Sequence, residues 1–489
     1  MLQNEVYERA RLSRDARFDG QFYVGVKTTG IYCRPICPAN SPKSRNVRFF
    51  PSAASAGEAG FRPCLRCRPE CAPGTPAWSG TSTTVRRGLR LISGGALDDG
   101  NVENLAERLG VTSRHLRRLF TTHLGASPLA VAHTQRLHFA KRLIDETRLP
   151  MNHVASAAGY GSIRRFNDAF QKTYGRSPRD LRKAGETTEL AGRTAMLTVR
   201  LPYRQPFDWL SLLTFFAGRA TPGVENVHED TYRRTLSIDG VHGIVEVRPD
   251  RREGYLALTL RSVNTNTLFE TVQTAREVFD LDAPVSEIDS ILARDRILKK
   301  MLKRNPGVRV PGAWDGYELT IRAILGQQIS VKAATTIAGR IAARYGDILE
   351  TGSAAEEFQL NRIFPTPERL SRARFNGIGI VQTRAATLRR VSAAVMRGDI
   401  CFDAAQEPKD FCDSLKAIKG IGEWTAQYVA MRALKNPDAF PGSDLGLISA
   451  IAHPARVTAK ELLTRAEDWR PWRAYAAMLL WGSLTGSGG

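Results

Sequence analysis

No histidine occurs before His115, and no cysteine lies between Cys71 and Cys401 in this 489-residue chain. The first absence excludes mixed nitrogen–sulfur metal sets near the start, so early cysteines that bind a metal must do so with sulfur alone. No run of about 18 apolar residues exists, so no membrane span is expected. Met1-Leu2-Gln3-Asn4-Glu5 has neither an apolar core nor a cleavage signature. A secretory signal is therefore not expected, and the chain reads as cytoplasmic. The seven cysteines are accordingly expected as metal-bound or buried thiols rather than disulfides.

Acidic residues are scarce at the front. Residues 1–183 hold 30 Lys and Arg against 14 Asp and Glu, a net of +16 out of +21 for the whole chain. Solubility does not explain that asymmetry. A polyanion does, and DNA is the first candidate.

What is present begins with two close cysteine pairs, Cys33/Cys37 and Cys64/Cys67, separated by 26 residues. Each pair fits a tight turn, the layout of a structural zinc site. Four thiolates on Zn²⁺ leave a formal charge of −2. Around them lie Arg34, Lys43, Arg45, Arg48, Arg62, Arg66 and Arg68, able to bond sulfurs or hold phosphates. Spacing alone supports a zinc ribbon that only staples a small domain. Cys71 reads as a bystander, and Cys401 and Cys412 as ordinary residues.

The runs Thr28-Thr29-Gly30-Ile31-Tyr32-Cys33-Arg34-Pro35, Gly60-Phe61-Arg62-Pro63-Cys64 and Arg66-Cys67 resemble the N-terminal domain of Ada-type alkylation-response proteins over about residues 1–72. The resemblance implies one Zn²⁺ on all four cysteines. It also implies that Cys33 irreversibly accepts a methyl group from a DNA methylphosphotriester. A metal-held thiolate is chemically suited to displace a phosphate ester from carbon. The charge lost on methylation is expected to tighten promoter binding.

Residues 72–84 and 184–192 read as linkers. Between them, Val102, Leu105, Ala106 and Leu109 make one apolar face, Gly110-Val111 breaks it, and Thr112 caps a helix burying Leu116, Leu119 and Phe120. Arg114, Arg117 and Arg118 fall outside. The unit recurs: Val154, Ala155 and Ala158, then Gly159-Tyr160-Gly161, then a helix burying Phe166 and Phe170 and showing Arg164 and Arg165. A long helix over about 128–147 joins them. The phrases Ser113-Arg114-His115-Leu116-Arg117-Arg118-Leu119-Phe120 and Phe170-Gln171-Lys172-Thr173-Tyr174-Gly175-Arg176-Ser177-Pro178 resemble the AraC-type DNA-binding domain over about 85–183. This implies two helices in successive major grooves, with these five arginines as contacts.

Alternation predicts strands at 196–201, 234–238, 243–248 and 255–260, then a helix over 265–279, together a small α+β unit. From about 285 the period is helical. Lys419-Gly420-Ile421-Gly422-Glu423 is a glycine hairpin between helices, letting Gly420 and Gly422 bring backbone N–H groups to a phosphate. About twenty residues on, Asp444 opens another helix, where the dipole favours its ionised form.

Gly420-Ile421-Gly422-Glu423-Trp424-Thr425-Ala426 with Phe440-Pro441 and Asp444 resembles the helix-hairpin-helix glycosylases. Ile324-Leu325-Gly326-Gln327-Gln328-Ile329-Ser330-Val331 narrows the resemblance to AlkA-type alkylpurine DNA glycosylases, over about 195–485. It implies Asp444 as the catalytic carboxylate, Trp424, Tyr428 and Trp481 as a base pocket, and Gln328 as the wedge filling the gap left by a flipped base. Bifunctional relatives carry a lyase lysine where Trp424 stands, so base excision without strand cleavage is expected, on 3-methyladenine and 7-methylguanine. Ada-type proteins can carry a second methyltransferase domain with a Pro-Cys-His-Arg site; no such tetrad occurs here, so the resemblance does not extend to repair of oxygen-alkylated guanine.

The expected architecture is multidomain and mainly α with α+β parts. A four-cysteine zinc domain (1–72) precedes a tandem helix-turn-helix domain (85–183), an α+β unit (193–284) and an all-α helix-hairpin-helix domain (285–489). Expected partners are double-stranded DNA, as alkylated sites and promoter, and RNA polymerase, with the protein monomeric. A rival reading is a transcription regulator whose zinc site and glycosylase fold are catalytically silent.

Overall fold

A computed structural model describes residues 2–73, 83–98, 100–182, 196–238, 240–261, 267–349, 358–403, 405–451 and 457–485. Most of the first expected linker, and the whole of the second, lie outside these ranges.

The N-terminal unit is a four-stranded sheet, β1 (Tyr23–Val26), β2 (Ile31–Cys33), β3 (Val47–Phe50) and β4 (Arg62–Pro63), in the order β3-β1-β2-β4. The helix Leu2–Ser13 precedes it, an element that its weak apolar pattern did not announce. Phe22 and Val24 are buried on one side, with Tyr7 stacked on Phe22 at 4.2 Å; Tyr23, Tyr32 and Phe50 are buried on the other. Gly25 sits in the sheet because a Cβ there would meet Phe50 at 2.6 Å.

Two helical pairs follow. Val102–Arg108 and Ser113–Leu124 form the first; Met151–Ala157 and Ile163–Tyr174 form the second, and the 19-residue helix Pro128–Glu146 joins them. Thr112 and Ser162 cap the second helix of each pair by accepting from His115 and Arg165 N–H. The caps free each helix to start where its apolar face begins. Leu116 and Phe120, and in the repeat Phe166 and Phe170, are fully buried, each such phenylalanine contributing about 1.5–3 kcal/mol.

The sheet of the next unit has five strands, β5 (Met196–Pro202), β6 (Glu225–His228), β7 (Thr231–Ile238), β8 (Val241–Pro249) and β9 (Tyr255–Arg261), all antiparallel in the order β5-β9-β8-β7-β6. The four expected strands are each longer than the alternation indicated, and β6 was not expected. The helices Trp209–Ala217 and Leu268–Val278 cover the sheet. One continuous buried cluster runs from Leu143, Phe166 and Phe170 into Val199, Val247 and Leu258, with Phe139 against Phe269 at 4.7 Å. The second helix-turn-helix and the α+β sheet thus share a core.

Helices from Val285–Leu292 to Arg473–Thr485 make the last unit around its own cluster, which includes Ile324, Leu388, Val429, Trp469 and Leu480. Arginines from the helix Thr83–Ser93 and its neighbour fasten the front of the chain to the rear. Arg87 bonds the Glu407 carboxylate, Arg90 pairs with Glu277 at 3.0 Å and donates to Leu434 O at 2.6 Å, and Arg108 pairs with Asp403 at 2.7 Å. No described helix is long and apolar enough to cross a membrane.

Candidate functional sites

β2 and β4 run parallel, with Tyr32 beside Pro63, so Cys33 and Cys64 leave the sheet side by side. Tight turns then bring Cys37 back to Cys33 (Cys37 N–H to Arg34 O, 3.1 Å) and Cys67 back to Cys64 (Arg68 N–H to Cys64 O, 3.1 Å). All four Sγ atoms lie within 4.8 Å of one another. Four sulfurs so close cannot all ionise without a cation between them, and the spacing suits Zn–S bonds of about 2.3 Å in a tetrahedron. The group fits one Zn²⁺ with four cysteine ligands. Cys71 is buried outside it. Cys64 and Cys67 are buried, whereas Cys33 and Cys37 are half-buried.

The sulfurs differ in their surroundings. Cys67 accepts the backbone N–H of Arg34 at 3.4 Å. Such bonds spread sulfur charge and reduce nucleophilicity. Arg34, expected at a phosphate surface, is instead 8 % exposed. Its guanidinium is committed to the Asp19 carboxylate and to Cys67 O at 3.2 Å, because a buried charge demands a partner. Arg45 is exposed, as expected.

Arg114, Arg117, Arg118, Arg164 and Arg165 are all exposed on the second helices of the two pairs. Arg117 leans towards Glu103 at 3.4 Å and Arg118 towards His115 Nδ1 at 3.0 Å. The joining helix is about 28 Å long at 1.5 Å per residue, near the ~34 Å turn of B-DNA.

In the last unit the helix Pro408–Lys416 leads through the glycine hairpin into Glu423–Arg432. Gly420 has φ +104°, and a Cβ there would lie 2.1 Å from Thr387 Oγ1. Around Gly422 a Cβ would meet nothing within 4 Å, leaving its backbone approachable. Gln327 Nε2 donates to Gly420 O (3.2 Å) and Thr425 Oγ1 (2.9 Å), tying the preceding loop to the hairpin. Its neighbour Gln328 is exposed at φ +58°, a conformation rare for a side chain with a Cβ and found at functional positions.

Asp444 precedes the short helix Leu445–Ile451 and accepts three hydrogen bonds. Trp424 Nε1 reaches Oδ2 at 2.7 Å; Trp481 Nε1 and Leu447 N–H reach Oδ1 at 3.0 Å each. Tyr428 stacks on Trp424 at 5.1 Å and 9°, and Trp481 meets Tyr428 edge-on at 6.2 Å. Asp444 and the three aromatics line one cleft of about 210 Å³. The two indoles, expected only as pocket walls, are also the carboxylate's hydrogen-bond donors.

The sequence reading missed three arginines lining the same cleft, Arg219, Arg322 and Arg432. They belong to segments 90 or more residues apart, so no local motif joins them. Burial pushes the Tyr428 phenol up, but Arg432, Arg219 and Arg322 outweigh it and leave the phenol below its usual value.

A four-sulfur metal centre and paired DNA-reading helices, joined to a hairpin-and-aspartate cleft, define a DNA-directed regulator fused to a base-excision fold. Family models agree: the metal-binding domain of Ada matches residues 7–70, a helix-turn-helix domain 105–184, the AlkA N-terminal domain 198–315, and the HhH-GPD superfamily base excision DNA repair protein 321–474. The chain is 40 % identical to the "probable bifunctional transcriptional activator/DNA repair enzyme AlkA" of Mycobacterium tuberculosis, over 97 % of this chain and 95 % of that protein. It belongs to that family. The rear is 30 % identical to DNA-3-methyladenine glycosylase 2 of Escherichia coli, across 58 % of this chain and 95 % of that protein. The front is 33 % identical to the bifunctional transcriptional activator/DNA repair enzyme Ada of Escherichia coli, across 39 % of this chain and 51 % of that protein. A solved 3-methyladenine DNA-glycosylase from Archaeoglobus fulgidus shares the fold at TM-score 0.50 and 22 % identity, covering 58 % of this chain and 97 % of that one.

Proposed function

We propose that this protein both senses and repairs alkylated DNA: Cys33 takes methyl groups from methylphosphotriesters, and the Asp444 cleft excises alkylated purines. The observation that carries the second activity is the carboxylate held by Trp424, Trp481 and Leu447 inside an aromatic cleft. It also weighs against the silent-regulator reading, because a relic has no need to keep three donors on one charge.

At the front, Cys33, Cys37, Cys64 and Cys67 would hold one zinc, which would keep their sulfurs deprotonated near neutral pH. Cys33 Sγ then bonds the methyl carbon while the carbon–oxygen bond breaks, its electron pair leaving with the phosphodiester anion. Cys33 is the choice because it stands where the Ada-type resemblance places the acceptor, and Cys67 is set apart by accepting the Arg34 N–H at 3.4 Å. Nothing regenerates the thiolate, so each chain reacts once. Tyr32 and Arg68, which flank the ligand cysteines, both bond the helix joining the DNA-reading pairs. This route supports a promoter response in which Arg114, Arg117, Arg118, Arg164 and Arg165 contact DNA.

At the rear, the hairpin around Gly420 and Gly422 holds a phosphate, Gln328 fills the vacated stack, and the flipped base enters among Trp424, Tyr428 and Trp481. Asp444 stabilises positive charge on the sugar as the base departs and orients the attacking water. Trp424 has no amine, so the backbone stays uncut. Domain limits of 1–72, 85–183, 193–284 and 285–489 follow this division of labour.

The test combines peptide mass mapping of Cys33 after contact with methylated DNA and abasic-site assays on duplexes carrying 3-methyladenine or 7-methylguanine. One added methyl at Cys33 and alkali-dependent strand breaks are expected. A peptide without added mass overturns the sensor, and intact strands overturn the glycosylase.

A further inference from the structure

Three guanidinium groups border the Asp444 cleft, and they are not equivalent. Arg322 is compensated: its Nη1 pairs with Glu225 and Glu318 at 2.9 Å each. Among the described residues, neither Arg219 nor Arg432 has a carboxylate partner. Arg432, 5 % exposed, spends its donors on the carbonyls of Pro311 (2.9 Å) and Gly312 (2.9 Å) and on the Tyr428 hydroxyl (2.7 Å). Arg219 lies over the Phe215 ring at 3.9 Å, and Arg432 over the same ring at 4.8 Å. Two positive charges without counter-ions therefore border a cleft whose one carboxylate is Asp444.

When the glycosidic bond breaks, its electron pair leaves with the base. A cationic N-alkylpurine becomes neutral; a neutral damaged base becomes an anion. In both cases the base gains one negative charge as the sugar gains positive character. Fixed positive charge beside the base and fixed negative charge beside the sugar match that redistribution.

We propose that Arg219 and Arg432 receive this charge, stabilising the departing base electrostatically without donating a proton. The proposal rests on the excision activity above. It assigns the two ends of the breaking bond to different groups of one cleft: sugar to Asp444, base to the arginines. Arg432 acts partly through rings, since its guanidinium lies 5.4 Å from the Tyr428 centroid and Tyr428 stacks on Trp424. A cation behind the stack draws ring electrons away from the base. The arginines should therefore weaken ground-state binding of cationic bases while speeding departure of both kinds.

The readout is the split between KM and kcat on two duplexes, one with cationic 7-methylguanine and one with neutral hypoxanthine. Arg432→Met and Arg219→Met are each expected to lower kcat on hypoxanthine about tenfold with KM unchanged. On 7-methylguanine, kcat and KM should fall together, leaving kcat/KM within about twofold. Arg432→Lys, which keeps the charge, should retain the wild-type pattern of KM between the two substrates. Equal losses of kcat on both duplexes with KM unmoved, or no change on either, would overturn the proposal. Should Arg432→Met fail to fold by circular dichroism, half-exposed Arg219 decides the matter alone. Inactivity of the unsubstituted protein on both duplexes would instead defeat the excision reading, and this inference with it.

Discussion

The hydroxyl of Tyr32 lies 3.0 Å from Nε2 of His138, joining the residue before Cys33 to the middle of the helix between the two DNA-reading pairs. Burial, and secondarily Arg142, push the imidazole down to about 4. It is neutral in the fold, while the unfolded chain takes up a proton below about 6.5. Its contribution is full above that value and is lost as pH falls towards 4. Between pH 7 and pH 5 the loss should be about 2 kcal/mol. Denaturant melts at both pH values should show it, and His138→Gln should flatten that share. Tyr32→Phe should cost about 1 kcal/mol at pH 7.

Asp444→Asn should reduce abasic-site formation by about 10²–10³-fold or more while leaving zinc content intact. Trp424→Phe keeps a ring against Tyr428 but removes the N–H on Oδ2. Hydrogen bonds to a charged group are worth about 1.5–3 kcal/mol, so roughly a ten- to hundredfold lower single-turnover rate is expected. A rate equal to wild type would show that the indole is only a wall.

Gly420→Ala should be among the costliest changes in the hairpin. The new methyl meets Thr387 Oγ1, and φ +104° disfavours any Cβ. A stability loss of about 1–3 kcal/mol is expected, with weaker binding to undamaged duplex. Gly422→Ala should leave stability nearly unchanged and impair DNA binding alone, as measured by fluorescence anisotropy.

Zinc analysis should give one equivalent per chain, falling on substitution of any of Cys33, Cys37, Cys64 or Cys67 by serine. Chelation should weaken promoter footprints, because Tyr32 and Arg68 reach the joining helix from the cysteine turns. Abasic-site formation should survive. Its loss on chelation would show that the two halves fold as one unit.

Local signals in the sequence were legible wherever a short motif carried the chemistry. Two cysteine turns, two capped helical pairs and one glycine hairpin are each written within a few residues, and each sits where its spacing indicated. Less legible was whatever depends on approach between distant segments. Arg34 follows Cys33 directly, yet its fate was set by Asp19. The cleft arginines come from three separated helical regions. Trp424 and Trp481 were expected as walls of a base pocket, and their N–H direction towards Asp444 is a property of the folded chain. The shared core of the second helical pair and the β5–β9 sheet was hidden by the linker-like composition of residues 184–192.

The front third's surplus of positive charge is partly spent within the molecule. Arg87 and Arg90 answer Glu407 and Glu277, and Arg34 and Arg68 answer Asp19 and Asp145. Those guanidiniums displace no counterions from a duplex. The slope of promoter affinity against ionic strength should therefore be shallower than a tally of basic residues implies, reporting only the arginines that still face water.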